Sequence, residues 1–346
     1  MRVAAPTSER TQIGIWRVRR ASALLFLVGI IVLSFESLST EQKQPGEVRL
    51  SGKVLRPILL GIGNVLPASS TPRPTSAPTG FRPVWERWPK NANLTKVVPV
   101  PKQVFVLWFG RPMAGARLSC FNELKDRIGV PLQVVTDENI GSFNVSTDPI
   151  HPAIFAGQLS MNHRVDYLRA YMMHHHGGGY HDVKPPGRSW STVFDVYEDP
   201  HVWAKGFNEL DIRHIGCSPK YASLMGLECG EVKSHWAKLI SNGAFTVRPQ
   251  TPLTHAWMSM LNANLDEKWE ALRAHPAPNQ RCCITPEDMA TGYPFKWAEL
   301  GGEAFHVVQA YFNEHVVGGL PRWKTRPYRD QSTEELPMSQ NGKKRQ

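Results

Sequence analysis

The feature that most constrains the fold is an alternation of short apolar runs with helical patterns between residues 98 and 183. The run at Val104–Trp108 is β-branched and aromatic, which is typical of a buried strand. A helical pattern follows in RLSCFNELKDRIG, and PLQVVTDENI predicts a second strand. A second helical pattern and the strand end YHDV complete the series. This order predicts the α/β class, with a mainly parallel sheet and helices on both faces.

The second helical pattern, SMNHRVDYLRAYMMHHHGGG, ends in three glycines, and either Ser160 or Asn162 can cap its start. Its apolar residues fall at i, i+3 and i+7: Val165, Leu168 and Met172. Ligands of parallel sheets lie beyond the carboxyl ends of the strands. We therefore expect Asp182 of YHDV, and Trp108 at the end of the first strand, to lie near a binding site.

Three consecutive histidines, His174–His176, raise the question of a metal site. Neighbouring residues of a helix point about 100° apart, so three in a row cannot all face one ion. Histidines at a helix C-terminus interact favourably with the helix dipole. We interpret HHHGGG as a helix ending.

Asp166 and Arg169 are spaced i, i+3, which places both side chains on one face of the second helix. One interpretation is an intrahelical ion pair worth a few tenths of a kcal/mol. The other is a pair that binds the hydroxyl groups of a sugar near the strand ends.

The N-terminus predicts a membrane anchor. Ala21–Phe35 is free of charge and follows a basic segment, residues 1–20, with a net charge of +4. A helix of this length covers about 22 Å, so it needs snorkelling arginines or a thin bilayer to span. Basic residues place residues 1–20 in the cytosol. A cleaved signal peptide is the alternative, but Ser37–Ser39 is a poor cleavage site, so we favour a signal anchor. Either way the rest of the chain enters the secretory lumen.

The composition divides the remaining chain into three parts. Residues 36–97 are rich in Pro and Ser and predict an extended stem, residues 98–325 hold the folded domain, and residues 326–346 predict a disordered basic tail. Most of the net charge of +10 lies in the two termini. The body therefore lacks the basic stripe that nucleic-acid binding requires, and we expect no nucleic-acid partner.

Two further features suit the secretory lumen. Asn93 and Asn144 begin N-glycosylation sequons. Five cysteines without a CxxC pair argue against a zinc ribbon, and up to two disulfides are expected in an oxidising compartment. We expect Cys217 to pair with Cys229.

Taken together, VPKQVFVLWFG, HRVDYLRAYMMHHHGGGYHDV and ISNGAFTVRPQTPLTHAWMSML resemble the DXD-containing sugar transferases of glycosyltransferase family 32. That family includes mannosyl-, α-1,4-galactosyl- and N-acetylglucosaminyl-transferases and capsule-synthesis enzymes. The order of motifs holds from about residue 98 to 262. The resemblance implies a GT-A-like nucleotide-sugar-binding domain that uses a UDP- or GDP-sugar, with Mn²⁺ or Mg²⁺ as the usual cofactor.

The resemblance also implies roles for individual residues. Trp108 would lie beside the nucleotide base, although it could equally be a core residue. Asp166 and Arg169 would contact the donor sugar. Asp182, at the first acidic position of the motif, would touch ribose, sugar or metal-bound water. The motif includes Tyr180 as a donor-binding position, and Asn242 matches a donor-site asparagine, with a turn residue before a glycine as the alternative.

The chain departs from the family pattern at Lys184, which stands where a second acidic residue usually binds the metal. The leaving diphosphate gains negative charge during transfer, and a divalent ion normally stabilises it. Three interpretations stay open: Lys184 acts as a catalytic residue with Asp182 and replaces the metal, the protein has lost transfer activity, or His181 joins Asp182 around a displaced ion.

These observations predict a retaining glycosyltransferase acting on a glycan or glycolipid acceptor. It would be anchored as a single-pass type II protein in the Golgi or endoplasmic reticulum membrane. Retention needs no dedicated base, and no Glu/His pair suited to that role is evident in the sequence. The alternative is a catalytically inactive lumenal scaffold protein that binds glycan or nucleotide sugar. A metal-dependent hydrolase built on His176, His181 and Asp182 is a third interpretation.

Overall fold

A computed structural model describes residues 89–90, 93–279, 283 and 286–323. The predicted cytosolic segment, the predicted anchor, most of the predicted stem and the predicted basic tail lie outside the described residues. Within the part of the chain that the structure describes, no helix is both long enough and apolar enough to cross a membrane.

The centre of the fold is a six-stranded sheet in the order β2-β1-β3-β5-β4-β6. Five strands run in one direction, and β5 runs antiparallel to both of its neighbours. The sheet is thus mixed and mostly parallel. Its strands are β1 (Val104–Leu107), β2 (Leu132–Val135), β3 (Gly178–His181), β4 (Ala204–Asn208), β5 (Ile240–Val247) and β6 (Val316–Val317).

Helices cover both faces of the sheet, as the alternation of patterns predicts. In β1, Val104 and Val106 pack on the face covered by α1, whereas Phe105 and Leu107 pack on the face covered by α2, α5 and α7. This alternation of side chains is the normal period of a strand. The helices are α1 (Gly115–Arg127), α2 (Met161–His175), α3 (Pro219–Leu224), α4 (Cys229–Ser234), α5 (Pro252–Ala274), α6 (Pro286–Met289) and α7 (Gly302–Tyr311).

Helix α2 begins and ends as its sequence predicts. The Ser160 side chain accepts a hydrogen bond from the His163 backbone N–H and caps the first turn. After His175 the chain enters the left-handed region at Gly177 and Gly178, with φ of 63° and 93°. A Cβ at Gly178 would lie 2.8 Å from the carbonyl oxygen of Gln103, so a larger residue would disturb the joint between α2 and the sheet.

A disulfide links Cys217 to Cys229, the pair preferred from the sequence, and ties the segment before α3 to the start of α4. The connection closes a loop with a sequence separation of 12 residues. It therefore restrains the two short helices that pack against α7.

Candidate functional site

The candidate site lies where the strand order of the sheet reverses. The chain passes from β1 to β2 on one side and to β3 on the other, and all three strands are parallel. A crevice beyond the carboxyl ends of such strands is the usual ligand site of an open α/β sheet. Asp182 follows β3 directly, and its backbone N–H donates to the carbonyl oxygen of Gly243, 2.8 Å away on β5. Asp182 thus lies at the predicted edge.

Four ionic or phenolic side chains join Asp182 into one chain of contacts, which we call the carboxyl-edge network: Asp166, Arg169, Tyr180, Asp182 and Lys184. Asp166 and Arg169 are 3.3 Å apart, and Arg169 donates to the Tyr180 hydroxyl at 3.2 Å. Tyr180 donates to Asp182 Oδ1 at 2.8 Å, and Lys184 donates to Oδ2 at 2.7 Å. The sequence-predicted residues of α2 and of the YHDVK motif therefore meet in space.

Opposite charges decide the ionisation of Asp182. Burial raises its pKa, but the charges of Lys184 and Arg169 outweigh burial and lower the pKa to about 2. Asp182 is therefore a carboxylate at neutral pH. Asp166 differs because burial outweighs the attraction of Arg169, and its pKa rises to about 6.

Three residues that the sequence analysis did not select complete the surroundings of the network. The Lys184 ammonium lies 3.9 Å from the ring centroid of Trp323. A Cβ at Gly243 would lie 2.6 Å from the Trp323 ring and 3.1 Å from Asp182 Oδ2. A Cβ at Gly301 would lie 2.7 Å from Asp166 Oδ2. Trp323 and Gly301 are remote from the motifs in sequence, so no local signal could have identified them, whereas Gly243 directly follows the selected residue Asn242.

The two remaining predicted donor-binding residues occupy different places. Trp108 is half-buried, packs beside the core under α1, and donates from Nε1 to the Arg111 carbonyl oxygen at 2.8 Å. It shares the sheet edge with Asp182, but its described contacts do not join it to the carboxyl-edge network. Asn242 lies nearer, because its Nδ2 is 3.9 Å from a Cβ placed at Gly302, beside Gly301.

His181 is oriented away from the Asp182 carboxylate. Its ring is buried beside Trp190 and Trp323, and its Nδ1 lies 2.6 Å from the backbone carbonyl oxygen of Asp182. Burial lowers the pKa of His181 to about 4, so the ring is neutral. Among the described residues, three side chains that can bind a metal lie close together: Asp148, His174 and His175. Neither His181 nor Asp182 belongs to this group.

The histidine run ends helix α2, as the sequence predicts, but burial disfavours the charged form of two of its members. Burial lowers the pKa of His174 to about 3, and it also lowers the pKa of His175. Both rings are neutral near pH 7, so they cannot act on the helix dipole as cations. His176 lies at a hydrogen-bonding distance, 2.9 Å, from the Phe143 carbonyl oxygen. It is at the opposite edge of the sheet from His181, so these two residues do not meet in a hydrolase site.

The fold does form a Glu/His pair, which the sequence did not reveal. His306 Nε2 lies 3.4 Å from Glu209 Oε1, and both side chains are at most one-tenth exposed. His306 lies beside Gly302, close to the Asn242 side of the candidate site. Glu209 lies in the loop that follows β4, and His306 lies in α7, so only the tertiary structure brings them together.

Both predicted glycosylation residues are exposed. Asn144 Oδ1 accepts a hydrogen bond from the Ile150 backbone N–H at 2.8 Å, which orients its amide. Glycosylation at Asn93 and Asn144 stays a prediction.

No protein-family model matches the chain, and neither curated proteins nor solved structures match it. Its functional assignment therefore depends on the motifs and on the geometry of the carboxyl-edge network.

Proposed function

We propose that the protein is a retaining glycosyltransferase of the GT-A kind, similar to glycosyltransferase family 32. It would move a sugar from a UDP- or GDP-sugar to a glycan or glycolipid. The observation that carries this proposal is the carboxyl-edge network, which unites Asp166, Arg169, Asp182 and Lys184 where an α/β sheet usually binds a nucleotide.

Lys184 is assigned the task of stabilising the leaving group. The bond between the sugar and the diphosphate breaks, and the departing phosphate gains negative charge. An ammonium group has three N–H donors, so Lys184 can retain its bond to Asp182 and donate to a phosphate oxygen. Trp323, 3.9 Å from the ammonium, holds the lysine side chain over the site.

In this proposal, Asp166, Asp182 and Arg169 bind and orient the donor sugar. Carboxylates accept hydrogen bonds from sugar hydroxyls, and Arg169 fixes the orientation of both Asp166 and Asp182. The departing phosphate oxygen takes the proton of the acceptor hydroxyl as that hydroxyl attacks the same face of the sugar. This route retains the anomeric configuration and requires no further base.

The position of Lys184 supports transfer without Mn²⁺ or Mg²⁺. Its ammonium lies 2.7 Å from Asp182 Oδ2, so a divalent ion on that oxygen would meet a like charge. If an ion did bind, the Asp182 carboxylate would hold it, and the ion would then stabilise the negative charge of the leaving diphosphate.

We place this activity in the lumen of the Golgi or endoplasmic reticulum. The apolar segment Ala21–Phe35 after a basic segment supports a type II anchor. The disulfide between Cys217 and Cys229 supports an oxidising compartment.

The second candidate function is a catalytically inactive lumenal scaffold protein that binds a nucleotide sugar or a glycan. The closed ion pair between Asp182 and Lys184 favours it, because each charge already has a partner in the absence of a donor.

The test is the release of nucleoside diphosphate from a panel of UDP- and GDP-sugars offered to the full-length chain with candidate acceptors. A transferase releases the diphosphate from at least one donor, and Lys184→Ala retains donor binding but loses release. A scaffold binds a donor in calorimetry and releases nothing, with or without Lys184. Absence of both donor binding and release rejects the transferase and the scaffold that binds a nucleotide sugar, and calorimetry with the acceptor glycans tests the scaffold that binds a glycan.

A further inference from the structure

A second cluster of side chains lies at the other end of α2, about 12 Å along the helix axis from Asp166, given 1.5 Å per residue. Asp148, His174 and His175 each offer one ligand atom, and these atoms all lie within 4.8 Å of one another. We call this group the amino-edge cluster, because α2 ends where β3 begins. It plays no part in the proposed transfer reaction.

His175 supplies the observation that points to a ligand. Its side chain is 7% exposed, and its Nε2 lies 3.3 Å from Asp148 Oδ2. Within the described part of the chain, this buried nitrogen makes no hydrogen bond of acceptable geometry. A buried polar atom without a hydrogen bond costs free energy unless something binds it.

A hydrogen bond orients the His174 ring, because its Nδ1 lies 3.0 Å from the Thr254 hydroxyl. When that hydroxyl donates to the Thr251 carbonyl oxygen, 3.1 Å away, it accepts from His174 Nδ1, and the lone pair of the ring is on Nε2. Histidines that bind metals commonly donate their other ring nitrogen in this way.

The cluster is also accessible to an ion. The Asp148 side chain is 46% exposed, which gives an ion a path from solvent. The Tyr171 hydroxyl donates to the Asp148 carbonyl oxygen at 3.0 Å and so holds the loop against α2.

We propose that Asp148, His174 and His175 form a Zn²⁺ site with a water molecule as the fourth ligand. Two imidazoles and one carboxylate form a donor set that suits Zn²⁺ better than Mg²⁺ or Ca²⁺. With Zn–ligand distances of about 2.0–2.2 Å and tetrahedral angles, the ligand atoms of one ion lie about 3.3–3.6 Å apart. Rotations of the three side chains would close the cluster from its present spread of up to 4.8 Å to that separation when the ion binds.

The test measures Zn²⁺ bound to the full-length chain, purified with an affinity tag that contains no histidine. The protein is stripped with EDTA, dialysed, and titrated with ZnCl₂ against a chromophoric chelator. We expect about one Zn²⁺ per chain, and affinity lowered about 10-fold or more in Asp148→Asn and in His175→Gln. Thr254→Val, which removes the hydroxyl that orients His174, should lower affinity about 10- to 100-fold.

The matched control is His214→Gln, because His214 is an exposed histidine outside the cluster. It should bind Zn²⁺ as the wild type does. Co²⁺ gives an independent measurement, with visible absorption bands of tetrahedral coordination in the wild type and none in Asp148→Asn. Wild-type binding equal to that of His175→Gln would overturn the proposal, as would Co²⁺ spectra unchanged by Asp148→Asn. Neither measurement requires sugar transfer, so its outcome is independent of the proposed function.

Discussion

Helix α2 connects two clusters in which burial has opposite consequences. In the carboxyl-edge network, Asp166 and Arg169 are almost fully buried but lie 3.3 Å apart, so each offsets the charge of the other. In the amino-edge cluster, burial lowers the pKa of His174 and of His175, although Asp148 lies 3.3 Å from His175. The partner of Arg169 is itself buried, whereas Asp148 is 46% exposed, so its attraction does not offset the burial of His175.

This difference separates the ligands that the two clusters can bind. The fixed charges of the carboxyl-edge network can bind the phosphates and hydroxyl groups of an anion such as a nucleotide sugar. Neutral imidazoles with an exposed carboxylate, Asp148, suit a divalent cation. Variants at each end of α2 therefore test whether the two clusters differ in this way.

The largest effect is expected from Arg169→Met. Removing the cation leaves Asp166 and the partly buried Asp182 without their shared partner, and breaking a buried pair costs about 3–5 kcal/mol. The measurement is the free energy of unfolding in denaturant. The control is Arg213→Met, whose pair with Asp211 involves an 84% exposed arginine and should cost far less. Equal losses in the two variants would contradict the paired-burial account.

A smaller effect is expected in the pH dependence of stability at the amino edge. The pKa of His174 is about 3 in the folded state and ordinary in the unfolded state, so the unfolded chain binds its proton first as pH falls. His174→Gln should therefore lose less stability than the wild type between about pH 6.5 and pH 4. The expected difference is about 1 kcal/mol per pH unit. Above pH 7.5 the two stability curves should run parallel, and parallel curves throughout would show that His174 is not buried neutral.

The next effect concerns the space around Lys184 and Trp323. In Gly243→Ala, the added Cβ would collide with Trp323 at 2.6 Å and crowd Asp182, so we expect a stability loss on the order of 1–3 kcal/mol. Donor binding should weaken as well. In Gly230→Ala a Cβ meets nothing within 4 Å, and α4 should be unaffected or gain up to about 1 kcal/mol. Thermal unfolding of both variants and donor calorimetry check the pair.

The smallest effect is expected from Asp148→Asn without metal. Asp148 is 46% exposed and faces a neutral imidazole, so the free energy of unfolding should fall by less than about 1 kcal/mol. Addition of Zn²⁺ should stabilise the wild type and leave Asp148→Asn unchanged. A large loss in the metal-free variant would mean that the carboxylate serves chiefly to hold the loop.

The sequence predicted what local patterns determine. Helix α2 follows from its apolar spacing, Ser160 and the glycines after it. The end of β1 follows from a short apolar run, and the end of β3 from the segment YHDV after those glycines. The antiparallel direction of β5 has no local signature, because strand direction depends on where the chain enters the sheet. Trp323 and Gly301 reach the site through tertiary packing alone, and sequence spacing cannot reveal such contacts.

The same limit explains the histidines. Consecutive residues of an ideal helix diverge, which made a three-histidine site implausible from the sequence. The structure pairs only His174 and His175, and a loop residue distant in sequence, Asp148, provides the third group. Loop placement is set by Tyr171, whose hydroxyl accepts from the Val145 backbone N–H at 2.8 Å. No periodicity in the sequence encodes that contact.

In the proposed transfer reaction, Lys184 supplies the positive charge that a metal supplies in the sugar transferases that the motifs resemble. The most direct measurement compares nucleoside diphosphate release by the wild type and by Lys184→Asp, each with EDTA and with Mn²⁺, in an Asp148→Asn background that removes the proposed Zn²⁺ site. We expect the wild type to release diphosphate in EDTA, whereas Lys184→Asp should release it only with Mn²⁺. Release that EDTA abolishes and Mn²⁺ restores in the presence of Lys184 would contradict it.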